Sequence, residues 1–185
     1  MSTRLVILDR DGVINEDDDA GIRNAEAWVP VAGSLEAIAR LNQAGYQVMV
    51  ATNQSGIAKG YYGIDDLNAM HAKMNRLLAQ VGGRVDGVVF CPHGEDEGCD
   101  CRKPLPGMYR EISERTRIPL AGVPAIGDSL RDVEAAVAVG ARPMLVRTGK
   151  GERTLAAGGL PEDVSIHDDL AAAVDALLAE AEAEA

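Results

Sequence analysis

Short aliphatic runs, separated by longer stretches whose apolar residues fall three and four apart, set the rhythm of this chain. Residues 5–8, Leu-Val-Ile-Leu, are uninterrupted and include two β-branched members, which reads as a strand buried on both faces. Residues 48–51, 85–90, 124–126 and 144–146 read the same way. Between the first two runs, Leu35, Ile38, Ala39 and Leu41 share a helical face, with Ser34 placed to cap it and Gly45 to stop it. Leu67, Met70, Met74, Leu77 and Val81 predict a longer helix from about Asp65. Further helices are expected over 108–116, from the Asp128 segment to Gly140, and from Asp168 or Asp169 onward. Strands alternating with helices predict an α/β fold with a mainly parallel sheet and one domain over residues 1–185.

The ends of these strands carry the reactive side chains. Asp9 and Asp11 follow the first, Thr52 the second and Asp128 the fourth, while Arg102 and Lys103 follow the third by way of a loop. In open α/β sheets, ligands bind in the crevice beyond the strand carboxyl ends. A two-residue step puts Asp9 and Asp11 on one side of an extended chain. Two such carboxylates repel each other unless a cation sits between them. Oxygen ligands from Asp9, Asp11 and Asp128 suit Mg²⁺, which would relieve that repulsion and draw in a phosphate.

Composition narrows the choice of partner. With 18 basic and 29 acidic residues the chain carries a net charge of −11, a poor match for nucleic acid or an anionic membrane surface. No apolar run is long enough to span a bilayer and no signal-peptide pattern opens the sequence, so a cytoplasmic protein is expected; a monomer is expected separately. Three cysteines do not make a disulfide framework. All three fall in residues 91–101, as Cys91-x-His93 and Cys99-x-Cys101, and Cys₃His is a closed tetrahedral set for structural Zn²⁺. The last of these ligands abuts Arg102 and Lys103, so zinc would order the loop that presents those cations.

Four motifs in order, Asp9-Arg10-Asp11-Gly12, Thr52-Asn53-Gln54-Ser55-Gly56, Arg102-Lys103-Pro104 and Gly127-Asp128-Ser129-Leu130-Arg131-Asp132, resemble the haloacid dehalogenase superfamily of phosphatases. The resemblance covers nearly the whole chain. It implies a Rossmann-like sheet with helices on both faces, Asp9 as nucleophile forming an aspartyl-phosphate, and Asp11 as general acid and then base. It also implies Thr52 and Lys103 on the phosphoryl oxygens, Asn53, Gln54, Ser55 and Arg102 against substrate, and Asp128 on Mg²⁺. To hold a proton near neutrality, Asp11 is expected to have a raised pKa. The stretches between motifs are filled by predicted elements, leaving no room for a separate cap domain.

Within the superfamily, a capless body with this zinc loop is similar to two groups. One acts on D-glycero-D-manno-heptose 1,7-bisphosphate and the other on histidinol phosphate, both small phosphorylated metabolites. The motifs look closer to the heptose group, where the residue matching Arg102 recognises substrate. A phosphosugar-binding module and a phosphotransferase are the competing readings. His71 and His167 are expected to be structural, and Trp28 a packing anchor near enough to the site loop to touch substrate. Thr148-Gly149-Lys150-Gly151 fails as a P-loop, since position 144 is Met and Gly151 stands where Ser or Thr is needed.

Overall fold

Alternation of side chains across a strand sends each apolar residue of this sheet to one of two faces. The computed structural model describes residues 4–183. In chain order the elements are β1 (Arg4–Leu8), α1 (Ser34–Gln43), β2 (Tyr46–Asn53), α2 (Ile64–Gln80), β3 (Gly87–Cys91) and α3 (Gly107–Thr116). There follow β4 (Pro124–Gly127), α4 (Leu130–Ala138), β5 (Arg142–Val146), α5 (Gly151–Ala157), β6 (Ser165–His167) and α6 (Leu170–Ala183). Val6, Leu8, Val48 and Val50 pack with α1, α2 and α6, whereas Leu5, Ile7, Met49 and Ala51 pack with α3 and α4. Each fully buried aliphatic side chain of this kind contributes about 1.5–3 kcal/mol, and both faces of β1 and β2 are covered.

All strand pairings are parallel and the order is β3-β2-β1-β4-β5-β6. The order reverses between β1 and β4, which opens a crevice at their carboxyl ends. The mainly parallel α/β architecture with helices on both faces is therefore as expected. Between β1 and β2 the only helix is α1, and residues 9–33 hold isolated bridges rather than a domain. Among the described residues, no helix is long and apolar enough to cross a membrane.

Local details differ from the sequence expectations for physical reasons. Ser34 does not cap α1 but is its first residue, and its hydroxyl donates to the Ile14 carbonyl at 2.6 Å. The third strand starts at Gly87 rather than 85, because the Asp86 carboxylate accepts the Val48 N–H at 2.8 Å in place of a backbone carbonyl. His167, expected in a loop, lies in the edge strand β6. Trp28 is fully buried in the core, as a packing anchor would be, and is not part of the crevice lining.

Candidate active site

The crevice is built from the tips of β1, β2 and β4. The N–H of Asp9 donates to Ile126 at 2.9 Å, so the residue leaves β1 still tied to β4. Its Oδ1 accepts the Arg10 N–H at 2.8 Å and lies 3.1 Å from Lys103 Nζ. Lys103 comes from the loop after β3 and is locked at both ends. Its backbone exchanges hydrogen bonds with the Asn53 side chain at 3.0 and 3.1 Å. Its ammonium donates to Ala51 O at 2.7 Å and to Asp132 Oδ1 at 2.6 Å. Asp132, in the first turn of α4, accepts from the Ser129 N–H and hydroxyl through Oδ2, at 3.0 and 2.7 Å.

The Asp9, Asp128 and Asp132 carboxylates converge, with oxygens within 4.8 Å of one another. Burial, then the charge of Asp132, pushes Asp9 well above the ordinary carboxylate range, and Lys103 only partly offsets this. The same two causes raise Asp128 to about 7. Asp132 is lowered despite its burial, because Lys103 pairs with it. Burial works against the Lys103 charge, but Asp132 and Asp9 outweigh it and raise the ammonium pKa. One lysine thus serves several carboxylates and pairs most closely with Asp132, so without a further cation Asp9 and Asp128 are hindered from ionising together.

Asp11 departs from expectation twice. Its carboxylate does not join that convergent group, since β1 ends at Leu8 and the two-residue rule for extended chain no longer applies. It turns instead toward the Arg10 guanidinium, whose Nε and Nη2 donate to Oδ1 at 3.0 and 2.7 Å. Asn15 adds a third donor to Oδ1 at 2.9 Å, and Gln54 Nε2 donates to Oδ2 at 3.0 Å. Burial alone would raise its pKa, but Arg10, Asn15 and Gln54 together lower it. The raised pKa expected for Asp11 is therefore not a property of the resting protein.

Gln54 also donates to Thr52 Oγ1 at 2.9 Å and accepts from the Tyr62 hydroxyl. Thr52 is buried and lies outside the crevice lining, whereas Asn53, Gln54, Ser55 and Arg102 line it alongside Asp9, Asp11, Lys103 and Asp128. The crevice has a volume of about 370 Å³, and its lining includes Asp17, Asp18 and Asp19 of the acidic loop together with Arg102 and Arg131. Sequence reasoning missed Lys150, whose N–H donates to Asp128 Oδ2 at 2.8 Å and whose ammonium pairs with Asp17 at 3.2 Å. Thr148 Oγ1 donates to Gly12 O at 2.6 Å, bringing the loop after β5 onto the loop after β1. There Gly12 has φ +81, and a Cβ on it would sit 2.1 Å from Asp128 Oδ2, so only glycine fits. The signal was in the Thr-Gly-Lys-Gly run, which is not a P-loop but a clasp on Asp128.

Cys91, at the end of β3, His93, Cys99 and Cys101 bring their ligand atoms together in the same loop that delivers Lys103. Cys91 Sγ lies 3.1 Å from Cys101 Sγ and 3.7 Å from Cys99 Sγ, with His93 Nδ1 3.3 Å from Cys101 and 3.5 Å from Cys91. Zn–S bonds of about 2.3 Å in a tetrahedron give edges of about 3.8 Å, so this four-atom set can close on one ion after small adjustments. Arg102 leans on the same loop, donating to His93 O at 3.4 Å and to Glu95 at 3.2 Å.

Carboxylates converging at the switch point with a lysine among them make a place suited to a phosphate ester and a counter-cation. The chain belongs to the HAD-like hydrolases, matching the HAD-hydrolase-like family model over residues 100–173 and the polynucleotide kinase 3 phosphatase model over 5–125. It is 57% identical over 178 residues to D-glycero-beta-D-manno-heptose-1,7-bisphosphate 7-phosphatase of Bordetella bronchiseptica, covering 96% of this chain and 99% of that one. The Pseudomonas putida protein of the same name is 62% identical over 169 residues, covering 91% and 96%. The crystal structure of the D,D-heptose 1,7-bisphosphate phosphatase from B. bronchiseptica, complexed with magnesium and phosphate, superposes with a TM-score of 0.94 over 96% of this chain and 99% of that one.

Proposed function

We propose that this protein removes the 7-phosphate of D-glycero-D-manno-heptose 1,7-bisphosphate, in the cytoplasm and as a monomer, on the route to the nucleotide-activated heptose of lipopolysaccharide. The observation that carries this reading is Asp9 at the tip of β1, 3.1 Å from Lys103 and converging with Asp128 in an open crevice. The identity to relatives that bear this activity in their names supports the substrate.

An Asp9 carboxylate oxygen attacks phosphorus in line as the bond to the sugar oxygen breaks, giving an aspartyl-phosphate and an alkoxide. Lys103 holds the transferring phosphoryl oxygens, while the backbone and side chains of Asn53, Gln54 and Ser55 border them. Asp11 gives its proton to the alkoxide, then takes one from the water that attacks the aspartyl-phosphate and releases inorganic phosphate and the Asp9 carboxylate. Oδ1 of Asp11 is already filled by three N–H donors, so Oδ2 is the oxygen left for that proton. The proton arrives with substrate, whose anionic phosphate opposes a second negative charge beside it.

The donor set fits Mg²⁺. Asp132 is paired with Lys103, which leaves Asp9 and Asp128 as oxygen ligands whose ionised forms a divalent cation would favour. When bound, the ion would neutralise the developing phosphoryl charge. The Cys91, His93, Cys99 and Cys101 set fits Zn²⁺ with no open position, a structural rather than catalytic site. Arg102 takes the second, 1-phosphate of the bisphosphate by charge-assisted hydrogen bonds.

Release of inorganic phosphate, measured with Mg²⁺ on heptose 1,7-bisphosphate, fructose 1,6-bisphosphate and histidinol phosphate, tests the assignment. Preference for the heptose ester supports it. A preference for histidinol phosphate overturns the substrate, and no release from any ester overturns the enzyme reading.

A further inference from the structure

Arg10 stands between two acids in the first motif, yet it is fully buried, and its guanidinium reaches past Asp11 to the ring of His71 on α2. Nη1 lies 3.2 Å from His71 Nε2. Guanidinium nitrogens only donate, so Nε2 must be the acceptor, which fixes the ring as neutral with its proton on Nδ1. Burial and the nearby Arg10 charge lower the His71 pKa to about 4, in keeping with that state. The neighbours Met70 and Met74 are fully buried in the core, so the helix that carries His71 is anchored beneath the site.

We propose that His71 is a positioning residue for catalysis: it fixes the Arg10 guanidinium, which in turn fixes the orientation of the Asp11 carboxylate toward the leaving oxygen. Resting on the phosphatase reading above, this extends the site beyond the four motifs to a helix that contributes none of them. The guanidinium is held as a planar fork. Nε and Nη2 bind Asp11 Oδ1 on one side and Nη1 binds His71 on the other, so rotating the plane breaks all three contacts together. Without the acceptor on α2, the fork is held only by the carboxylate it is meant to hold.

Removing Arg10 itself would strand Asp11 and empty a fully buried position, mixing folding with catalysis. His71 is half-buried, and its variants separate the two. His71→Leu keeps apolar bulk without an acceptor, and His71→Gln restores an acceptor. The readout is kcat/KM, which reports formation of the aspartyl-phosphate, on a sugar phosphate and on p-nitrophenyl phosphate, whose leaving group needs no acid. His71→Leu should lower kcat/KM on the sugar phosphate about tenfold, as misplacement of a reacting group by a fraction of an ångström does. The p-nitrophenyl ester should be affected far less, and His71→Gln should recover most of the loss.

Equal losses on both esters, no loss on either, or failure of glutamine to rescue would overturn the role. So would ¹⁵N shifts of wild-type His71 showing a proton on Nε2, a measurement that needs no substrate. If heptose bisphosphate is not hydrolysed the substrate assignment fails separately. The two-ester comparison is then made with whichever alkyl phosphate of the panel is turned over.

Discussion

Two clusters of side chains able to hold metal lie on either side of Lys103, and they are made in opposite ways. Asp9, Asp128 and Asp132 stand at the ends or first turns of regular elements, and the protein supplies them with a buried cation of its own. Three of the four Cys/His side chains, His93, Cys99 and Cys101, lie outside helices and strands, between β3 and α3. The carboxylate site is prepaid by sheet packing, so a catalytic ion can come and go. The sulfur site stands largely in irregular backbone, so under the zinc reading an ion would add order to residues 93–101 beyond the bonds that already hold Lys103. On the proposed reading, chemistry would reside in the first cluster and added rigidity would come through the second.

That contrast can be broken at several points. Asp9→Asn should cut turnover by about ten-thousandfold or more, as loss of a nucleophile does. The variant should still bind phosphate and unfold at or above the wild-type temperature, since a carboxylate repelled by Asp132 has gone. Near-normal turnover in that variant would remove the carboxylate cluster from the chemistry. Stripping the Cys/His metal with a strong chelator should lower activity by about 10–100-fold, the usual cost of losing an outer support. Zn²⁺ should restore the activity and excess Mg²⁺ should not; full activity in verified zinc-free protein would erase the distinction drawn between the two clusters. Arg102→Ala should raise KM for the bisphosphate about tenfold, as loss of a charged hydrogen bond does, and leave a monophosphate nearly unchanged. An equal rise for both esters would place Arg102 on the transferring phosphate instead. Smallest of all, Glu95→Gln removes an ion pair whose acid is mostly exposed, and should change stability by less than about 0.5 kcal/mol in a thermal melt. A larger change would mean that protein contacts, and not an ion, order the loop.

Much of this was legible in the chain because the signal and the cause coincide. Strands β1, β2, β4 and β5 are aliphatic runs, and a strand covered by helices on both faces has to be one. The motifs fall at strand tips, where the topology makes its crevice. What escaped has little hydrophobic imprint. In α5 only Gly151 is buried, and β6 is three residues at the sheet edge with Ile166 exposed, so neither leaves a periodic stripe. Nor could the fate of Arg10 be seen, because a charged residue between two acids looks solvated. Its burial depends on a contact with His71 of α2, 61 residues further along the chain, beside the local pairing with Asp11. The turn after β1 likewise moved Asp11 off the line that extended backbone would have given it. Asp132 was in plain view in its motif, but its pairing with Lys103 depends on a loop closing over 29 residues of sequence.

The clasp of Thr148 on the Gly12 carbonyl bears on how this chain can be shortened. A fragment stopped at Gly140 would retain all four motifs at the strand tips. It would lack β5 and α6 with the core they bury, and with them the hydroxyl that ties down the turn after β1 and the Lys150 amide that steadies Asp128. Such a truncate should be a phosphatase on paper and inert in the tube, for want of a segment that performs no chemistry.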